Sequence, residues 1–275
     1  MSLENKRLAF IGSGVMGEAM MKGLLHQELI DPRRVIASDP HEDRLNQLAE
    51  RYGIQVTLEN TEAAEGADIL VLSVKPQVME KVLDGLHNRI EDEALIVSIA
   101  AGVKLKTITE GCNNHNVVRS MPNTPGQIGR GMTVWTATPE VTEEQRQLAA
   151  IVLGAMGETL YVNDEKYMDM ATALNGSGPS YVFLLMEAMI DAGVHMGFSR
   201  QEAQHLVQQT MLGSVEYAIA SGKHPAELRN QVTSPGGTSA AALYQLEKGG
   251  IRTVLTDAIW AAYRRSVELG KESKD

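Results

Sequence analysis

IGSGVMG, residues 11–17, is the stretch on which the fold turns. It sets glycines at 12, 14 and 17, directly after the apolar run RLAFI (7–11) and directly before EAMMKGLLHQEL (18–29), whose apolar residues recur at helical spacing. In a strand, turn, helix setting each glycine has a physical reason. Gly12 makes the tight turn, Gly14 lets a pyrophosphate approach the backbone, and Gly17 lets helix and strand pack closely. Val15 and Met16 lie at the helix mouth, where unpaired amides face an anion.

The pattern continues outward. RVIAS (34–38), DILVLSV (68–74), ALIVSIA (94–100) and NVVRSM (116–121) read as buried strands, separated by the amphipathic stretches HEDRLNQLAERY (41–52) and PQVMEKVLDGLH (76–87). Such alternation predicts an α/β domain, a parallel Rossmann-type sheet with helices on both faces. GMTVWTA (131–137) and ETLYV (158–162), flanking TEEQRQLAAIVLGAM (142–156), are expected to complete the sheet. From residue 163 the alternation stops and helices follow one another between glycine and proline breaks. The expected organisation is a dinucleotide-binding domain over 1–162 and an all-α domain over 163–275. YVFLLMEAMIDAGV (181–194) and TVLTDAIWAAY (253–263) are apolar round most of their circumference, which calls for a tight bundle or burial against a second subunit.

Composition narrows the function. The 275 residues carry a formal net charge of −10, and no run of Lys or Arg interrupts it, so nucleic acid and anionic membrane are unfavourable partners. The same field disfavours small anions, which must then be captured by local donors. One cysteine, Cys112, leaves no intramolecular disulfide and no cysteine-rich metal site, and no metal is expected. The apolar run near the N-terminus is too short for a signal-peptide core or a membrane span, which with the single cysteine predicts a cytoplasmic protein.

Further candidates follow from position. Asp39 ends the second strand, where an acid can hydrogen-bond an adenosine ribose and favour NAD; it can equally cap the next helix, and Arg33, Arg34 and Arg44 are near enough to receive a 2′-phosphate. The cofactor is therefore NAD or NADP. SVKP (73–76) and SIAAG (98–102) fall at strand ends on the crevice edge of the sheet. There Lys75 could supply a cation and Ala100, Ala101 and Gly102 could admit a flat ring; turn chemistry explains them equally well. In RSMPNTP (119–125), Asn123 and Thr124 could hold a carboxamide or substrate. TSPGGTSAAALYQLE (233–247) opens a helix after a break that proline and glycine impose, exposing amides of Gly236, Gly237, Thr238 and Ser239 to an anion. Plain capping needs only one hydroxyl and does not explain the glycine pair. NGSGPS (175–180) reads as a close helix crossing or a ligand contact.

At these motifs the whole chain resembles the pyrroline-5-carboxylate reductases, which make L-proline by reducing a cyclic imine with NAD(P)H. IGSGVMG, SVKPQ, SIAAGV, RSMPNTP, NGSGPSYVF and LRNQVTSPGGTSAAALYQLE stand in the family's order and spacing, the last being the most specific. The resemblance implies a helical domain that interlocks with a second subunit, often with such dimers arranged into a larger ring, and an active site between nucleotide domain and helical dimer. It implies a carboxylate cradle of backbone donors around Gly237 to Ser239, with a hydroxyl of Thr238 or Ser239 reaching the ring nitrogen. Ser239 stands where the family usually has threonine. Glu165 matches an acid near the substrate; Ser38, Asn60, Val74, Lys75, Pro76 and Ala101 match cofactor-contacting positions; Gln231 stands where some relatives have asparagine.

Two other readings stay open on sequence alone. A β-hydroxyacid or ketone reductase on the same scaffold usually needs a lysine or other general acid in the helical domain facing the nicotinamide, and the one lysine of residues 166–200 is Lys166, before the apolar helix begins. A non-catalytic dinucleotide sensor would share the fold. The histidines, 26, 41, 87, 115, 195, 205 and 224, show no ligand spacing and no carboxylate pairing in sequence.

Overall fold

A computed structural model describes residues 2–272. Eight strands form one sheet: β1 (Leu8–Ile11), β2 (Val35–Ser38), β3 (Gln55–Thr57), β4 (Ile69–Leu72), β5 (Leu95–Ser98), β6 (Val117–Met121), β7 (Gly131–Ala137) and β8 (Gly157–Tyr161), in the order β3-β2-β1-β4-β5-β6-β7-β8. All pairs are parallel except β6 with β7. The order reverses between β1 and β4, and that switch point is where such sheets open a ligand crevice.

Six helices accompany the sheet: α1 (Val15–His26), α2 (Glu42–Tyr52), α3 (Asn60–Ala64), α4 (Pro76–Leu86), α5 (Leu105–Cys112) and α6 (Glu143–Gly154). Alternation within the strands shows why both faces are covered. Leu8, Phe10, Ile69 and Val71 join one buried cluster with Met20, Leu24 and Val152. Ala9, Ile11, Leu70 and Leu72 join the other, with Met79, Leu83 and Ile108. Every residue of β1, β2, β4 and β5 is buried, which is the signature of strands packed on two sides.

The remaining helices are α7 (Lys166–Ala171), continued by a π-helical turn over Thr172–Gly176, then α8 (Gly178–His195), α9 (Arg200–Ser221), α10 (Pro225–Gln231), α11 (Thr238–Lys248) and α12 (Ile251–Glu272). By packing, the chain divides into residues up to Pro179 with those from Ala262 on, and Ser180–Ala261. This differs from a division after residue 162. Met168 and Ala171 of α7 bury against Val134, and Ser266 of α12 donates to Asp169 Oδ1 at 2.9 Å, so these helical pieces belong to the sheet's own core.

Ser180–Ala261 is built differently. Ala203 and Val207 are buried there, and Gly193 of α8 lets α9 approach, since a Cβ at 193 would lie 2.9 Å from that of Ala203. Phe183, Leu184, Leu212, Val215, Ile219 and Trp260 are exposed. Helices apolar on several faces are thus left uncovered by their own chain, as expected of a surface that a partner must bury.

Close packing sets one further constraint. A Cβ at Gly23 of α1 would collide with the carbonyl oxygen of Ala155. Gly23→Ala is expected to lower stability by about 1–3 kcal/mol through forced separation of α1 from the end of α6. Denaturant unfolding should show a lower midpoint with an unchanged slope.

Candidate functional site

The glycine loop joins β1 to α1 at the switch point. Gly12 has φ +84° and donates its N–H to Ser38 O at 2.9 Å. A Cβ there would stand 2.7 Å from Val74 Cγ1 and 3.1 Å from the Ser73 carbonyl, so both conformation and space require glycine. A Cβ on Gly17 would lie 2.9 Å from Ser73 Oγ and 3.1 Å from Gly12 O, but one on Gly14 would meet nothing within 4 Å. The outer two glycines serve packing; the middle one faces open space. Gly14 is also the cap of α1 and no side chain satisfies the amides there, which leaves the donors of the first turn directed outward. This geometry fits a dinucleotide pyrophosphate.

Ser73 is a residue that sequence reading passed over. Its Oγ donates to Gly12 O at 2.5 Å, and its backbone N–H to Ile11 O at 2.9 Å, tying the end of β4 to the loop. Only its place in SVKP could have flagged it.

The end of β2 carries a dense polar network. Asp39 Oδ2 accepts from Ser13 N–H at 3.0 Å and Ser13 Oγ at 3.1 Å, while Oδ1 accepts from His41 N–H at 3.1 Å and meets His41 Nδ1 at 2.8 Å. His41 therefore does have a carboxylate partner, contrary to the sequence expectation, because the β2–α2 turn folds it back on residue 39. Glu18, in the first turn of α1, takes Arg44 at 2.5 Å on one oxygen, and Arg51 at 2.7 Å and Tyr52 at 2.8 Å on the other. Arg44 Nε also donates to Ser13 O at 2.9 Å. Burial by itself raises the pKa of both carboxyls, but it is outweighed: Arg44 and Tyr52 hold Glu18, and the bonds from Ser13 and His41 hold Asp39, below the usual carboxylate range.

Ser38 Oγ donates to Asn60 Oδ1 at 2.8 Å, linking two expected cofactor positions across β2 and α3. Lys75 and Pro76 start α4 and are exposed; Val74 packs on the glycine loop; Ala100 is buried and Ala101 half-buried after β5. These positions share the C-terminal edge of the sheet. Asn123 has its amide committed inside the protein: Oδ1 accepts from Met132 N–H at 2.9 Å and Nδ2 donates to Asn175 Oδ1 at 2.9 Å. Asn175 in turn donates to Met121 O and Met132 O, and a Cβ at Gly176 would collide with Met121 Cε. Asn175 and Gly176, at the start of NGSGPS, thus pack closely against the end of β6.

Glu165 sits with buried Arg119. Its Oε1 accepts from Leu105 N–H at 2.8 Å, at the start of α5, and from Arg119 at 2.8 Å; a second nitrogen of Arg119 approaches Asp169 at 3.4 Å. Lys166 is exposed and paired with Asp164 at 2.8 Å.

In the helical unit, the break before α11 is a turn in which Gly237 N–H donates to Ser234 O at 3.0 Å, with Pro235 and left-handed Gly236 (φ +70°) at its centre. This corrects the expectation of four exposed amides, because the turn consumes the one on Gly237. Gly237 caps α11 without a side-chain bond, and a Cβ on it would lie 2.5 Å from Ser234 Oγ. Helix geometry leaves the amides of Thr238 and Ser239 without intrahelical acceptors. Thr238 is exposed, Ser239 half-buried, and Gln231 ends α10 with an exposed side chain.

Sequence comparison now decides the family. The chain is 42% identical to a pyrroline-5-carboxylate reductase of Synechocystis over 97% of its length and 99% of that protein's, and 40% identical to one of Pseudomonas aeruginosa over 98% and 99%. It belongs to the pyrroline-5-carboxylate reductase family. A family described as pyrroline-5-carboxylate reductase dimerisation matches residues 165–269, and one described as NADP oxidoreductase, coenzyme F420-dependent, matches 7–102. Among solved structures, a Coxiella burnetii reductase aligns with TM-score 0.90 at 34% identity over 97% of this chain and 99% of that one. A Plasmodium falciparum reductase with NADP bound aligns with TM-score 0.88 at 32% identity over 97% and 99%. The Rossmann-type sheet followed by a helical dimerisation region is thus the family's architecture. No helix among the described residues is long and apolar enough to cross a membrane.

Two measurements check the electrostatics. Because folding depresses the Asp39 pKa, its contribution to stability is full above the ordinary carboxylate range and is lost as pH falls through the folded value. The stability deficit of Asp39→Asn relative to the parent should therefore be largest near neutrality and shrink below about pH 4, as read by denaturant titrations across pH. Burial pushes the Cys112 thiol up to about 12, so a chromogenic disulfide reagent at about pH 8 should fail to react with folded protein and titrate one thiol after unfolding.

Proposed function

We propose that this chain is an NAD(P)H-dependent reductase of 1-pyrroline-5-carboxylate, forming L-proline. The observation that carries the reading is the mouth of α11: a glycine-built, side-chain-free helix start in a chain whose sheet edge holds a dinucleotide loop. A protonated C=N bond is already a good hydride acceptor, so the protein's task is to orient the ring and provide a partner for its nitrogen. A bound reduced nicotinamide supplies the hydride. Backbone donors of Gly236, Thr238 and Ser239 receive the substrate carboxylate, and a hydroxyl of Thr238 or Ser239 meets the ring nitrogen. Glu165, oriented by Arg119 and the Leu105 amide, is the carboxylate on the substrate side. The dinucleotide is held by the loop from Gly12 to Gly17, by Ser38, Asp39 and Asn60, and by Val74 to Pro76 with Ala100 and Ala101. Asn123 contributes by fastening β6 to the π-helical turn, and Gln231 stands at the approach to the α11 turn.

Homodimerisation through the helical region is part of the same reading, supported by the exposed apolar faces of α8, α9 and α12 and by the matched dimerisation family. A ring of such dimers extends it, and the functional division after residue 162 and a cytoplasmic setting are retained with it.

Purified protein given pyrroline-5-carboxylate and a reduced nicotinamide should consume absorbance at the reduced-nicotinamide band. Thr238→Ala combined with Ser239→Ala should lower kcat/KM about 10- to 100-fold with dinucleotide affinity unchanged. Unchanged turnover in the double variant removes the hydroxyl assignment. Steady absorbance with cofactor demonstrably bound favours a sensor and overturns the reaction.

A further inference from the structure

The corner formed by the end of β2 and the start of α2 decides which dinucleotide fits, since an adenosine ribose lies at this strand end in sheets of this order. A 2′-phosphate brings about two further negative charges there, and it needs a cation or unspent amides to receive it. The corner offers an anion instead. Asp39 is half-buried with both oxygens held by Ser13 and His41. Glu42 and Asp43 occupy the first turn of α2, where they already use the favourable end of that helix.

The arginines that could offset this charge all have acceptors. Arg33 pairs with Asp31 at 2.5 Å, Arg34 donates to Asn5 O at 3.3 Å, and Arg51 reaches Glu18 at 2.7 Å. Arg44 gives one nitrogen to Ser13 O and another to Glu18, whose side chain is largely buried. Turning Arg44 toward a phosphate would cost its bond to the glycine loop and strip a cation from Glu18. A ribose diol makes no such demand: it donates to a carboxylate that the loop already orients.

We infer that Asp39, with Arg44 retained by Glu18, makes this protein selective for NADH over NADPH. The inference rests on the reductase reading but concerns the dinucleotide site alone. It goes beyond the family match, whose Plasmodium relative was solved with NADP.

The test is equilibrium binding of NADH and NADPH to the full-length protein without imine, followed by nicotinamide fluorescence at about pH 8, where an ordinary imidazole is neutral. The parent should bind NADH about tenfold or more tightly than NADPH. Asp39→Asn and Asp39→Ser should each narrow that ratio by at least about fivefold, chiefly by strengthening NADPH. Glu18→Gln, which removes the charge that holds Arg44 away from the ribose corner, should narrow it independently. The ratio is the readout because a loosened glycine loop weakens both dinucleotides together and leaves it unmoved. A parent that binds NADPH as tightly as NADH overturns the inference, as does a ratio unaffected by all three substitutions. Turnover of pyrroline-5-carboxylate, measured separately with each dinucleotide, tests the reductase reading and can fail or succeed without altering the binding ratio.

Discussion

The absence of room at Gly12 is the constraint on which the rest depends. The end of β4 passes so close that the Ser73 carbonyl and the Val74 side chain occupy the space of any Cβ at residue 12. β1 and β4 can then pair at the switch point, Ser73 can bond to the loop, and α1 can start on Gly14 with its amides outward. A crevice at that edge is a consequence of strand order. The glycines leave the first-turn amides of α1 uncovered at that edge.

Much of this is legible in sequence where one physical cause dominates. Buried parallel strands read as apolar runs, and the glycine loop is visible because strain, packing and ligand access all demand the same residue. Other features escape because their causes are tertiary. β3 is three residues at a sheet edge, with Gln55 exposed, and carries too little apolar pattern to stand out. α5 begins where Glu165, sixty positions later, accepts the Leu105 amide, a start signal no local window contains. The boundary after residue 162 follows the loss of strand pattern, yet α7 packs on β7 through Met168 and the last turns of α12 return to Asp169. Asn123 carries the donor and acceptor set of a ligand-binding residue, and only the structure reveals that Met132 and Asn175 consume it.

The helical unit follows another rule. A domain whose helices bury few side chains among themselves cannot offset the entropy of ordering its chain. α9 is secured locally by the Ser199 and Glu202 capping box and by left-handed Gly222 at its end, devices worth about a kilocalorie each. Packing must supply the remainder, and the uncovered apolar faces of α8, α9 and α12 are where it has to come from. Those faces lie within the region that the dimerisation family matches.

The starts of α1 and α11 share a design. α1 and α11 both take glycine at the cap, both are preceded closely by a left-handed glycine, and neither cap is satisfied by a side chain. α6 and α9 are instead closed by the capping boxes of Thr142 and Ser199. In a chain of net charge −10 this difference matters. Exposed carboxylates more than about 10 Å away are largely screened by salt, so the local donors decide whether an anion binds. Backbone amides do this without adding a mobile cation, and they leave the neighbouring carboxylates, Asp39 among them, free to discriminate between anions that the amides alone would accept alike.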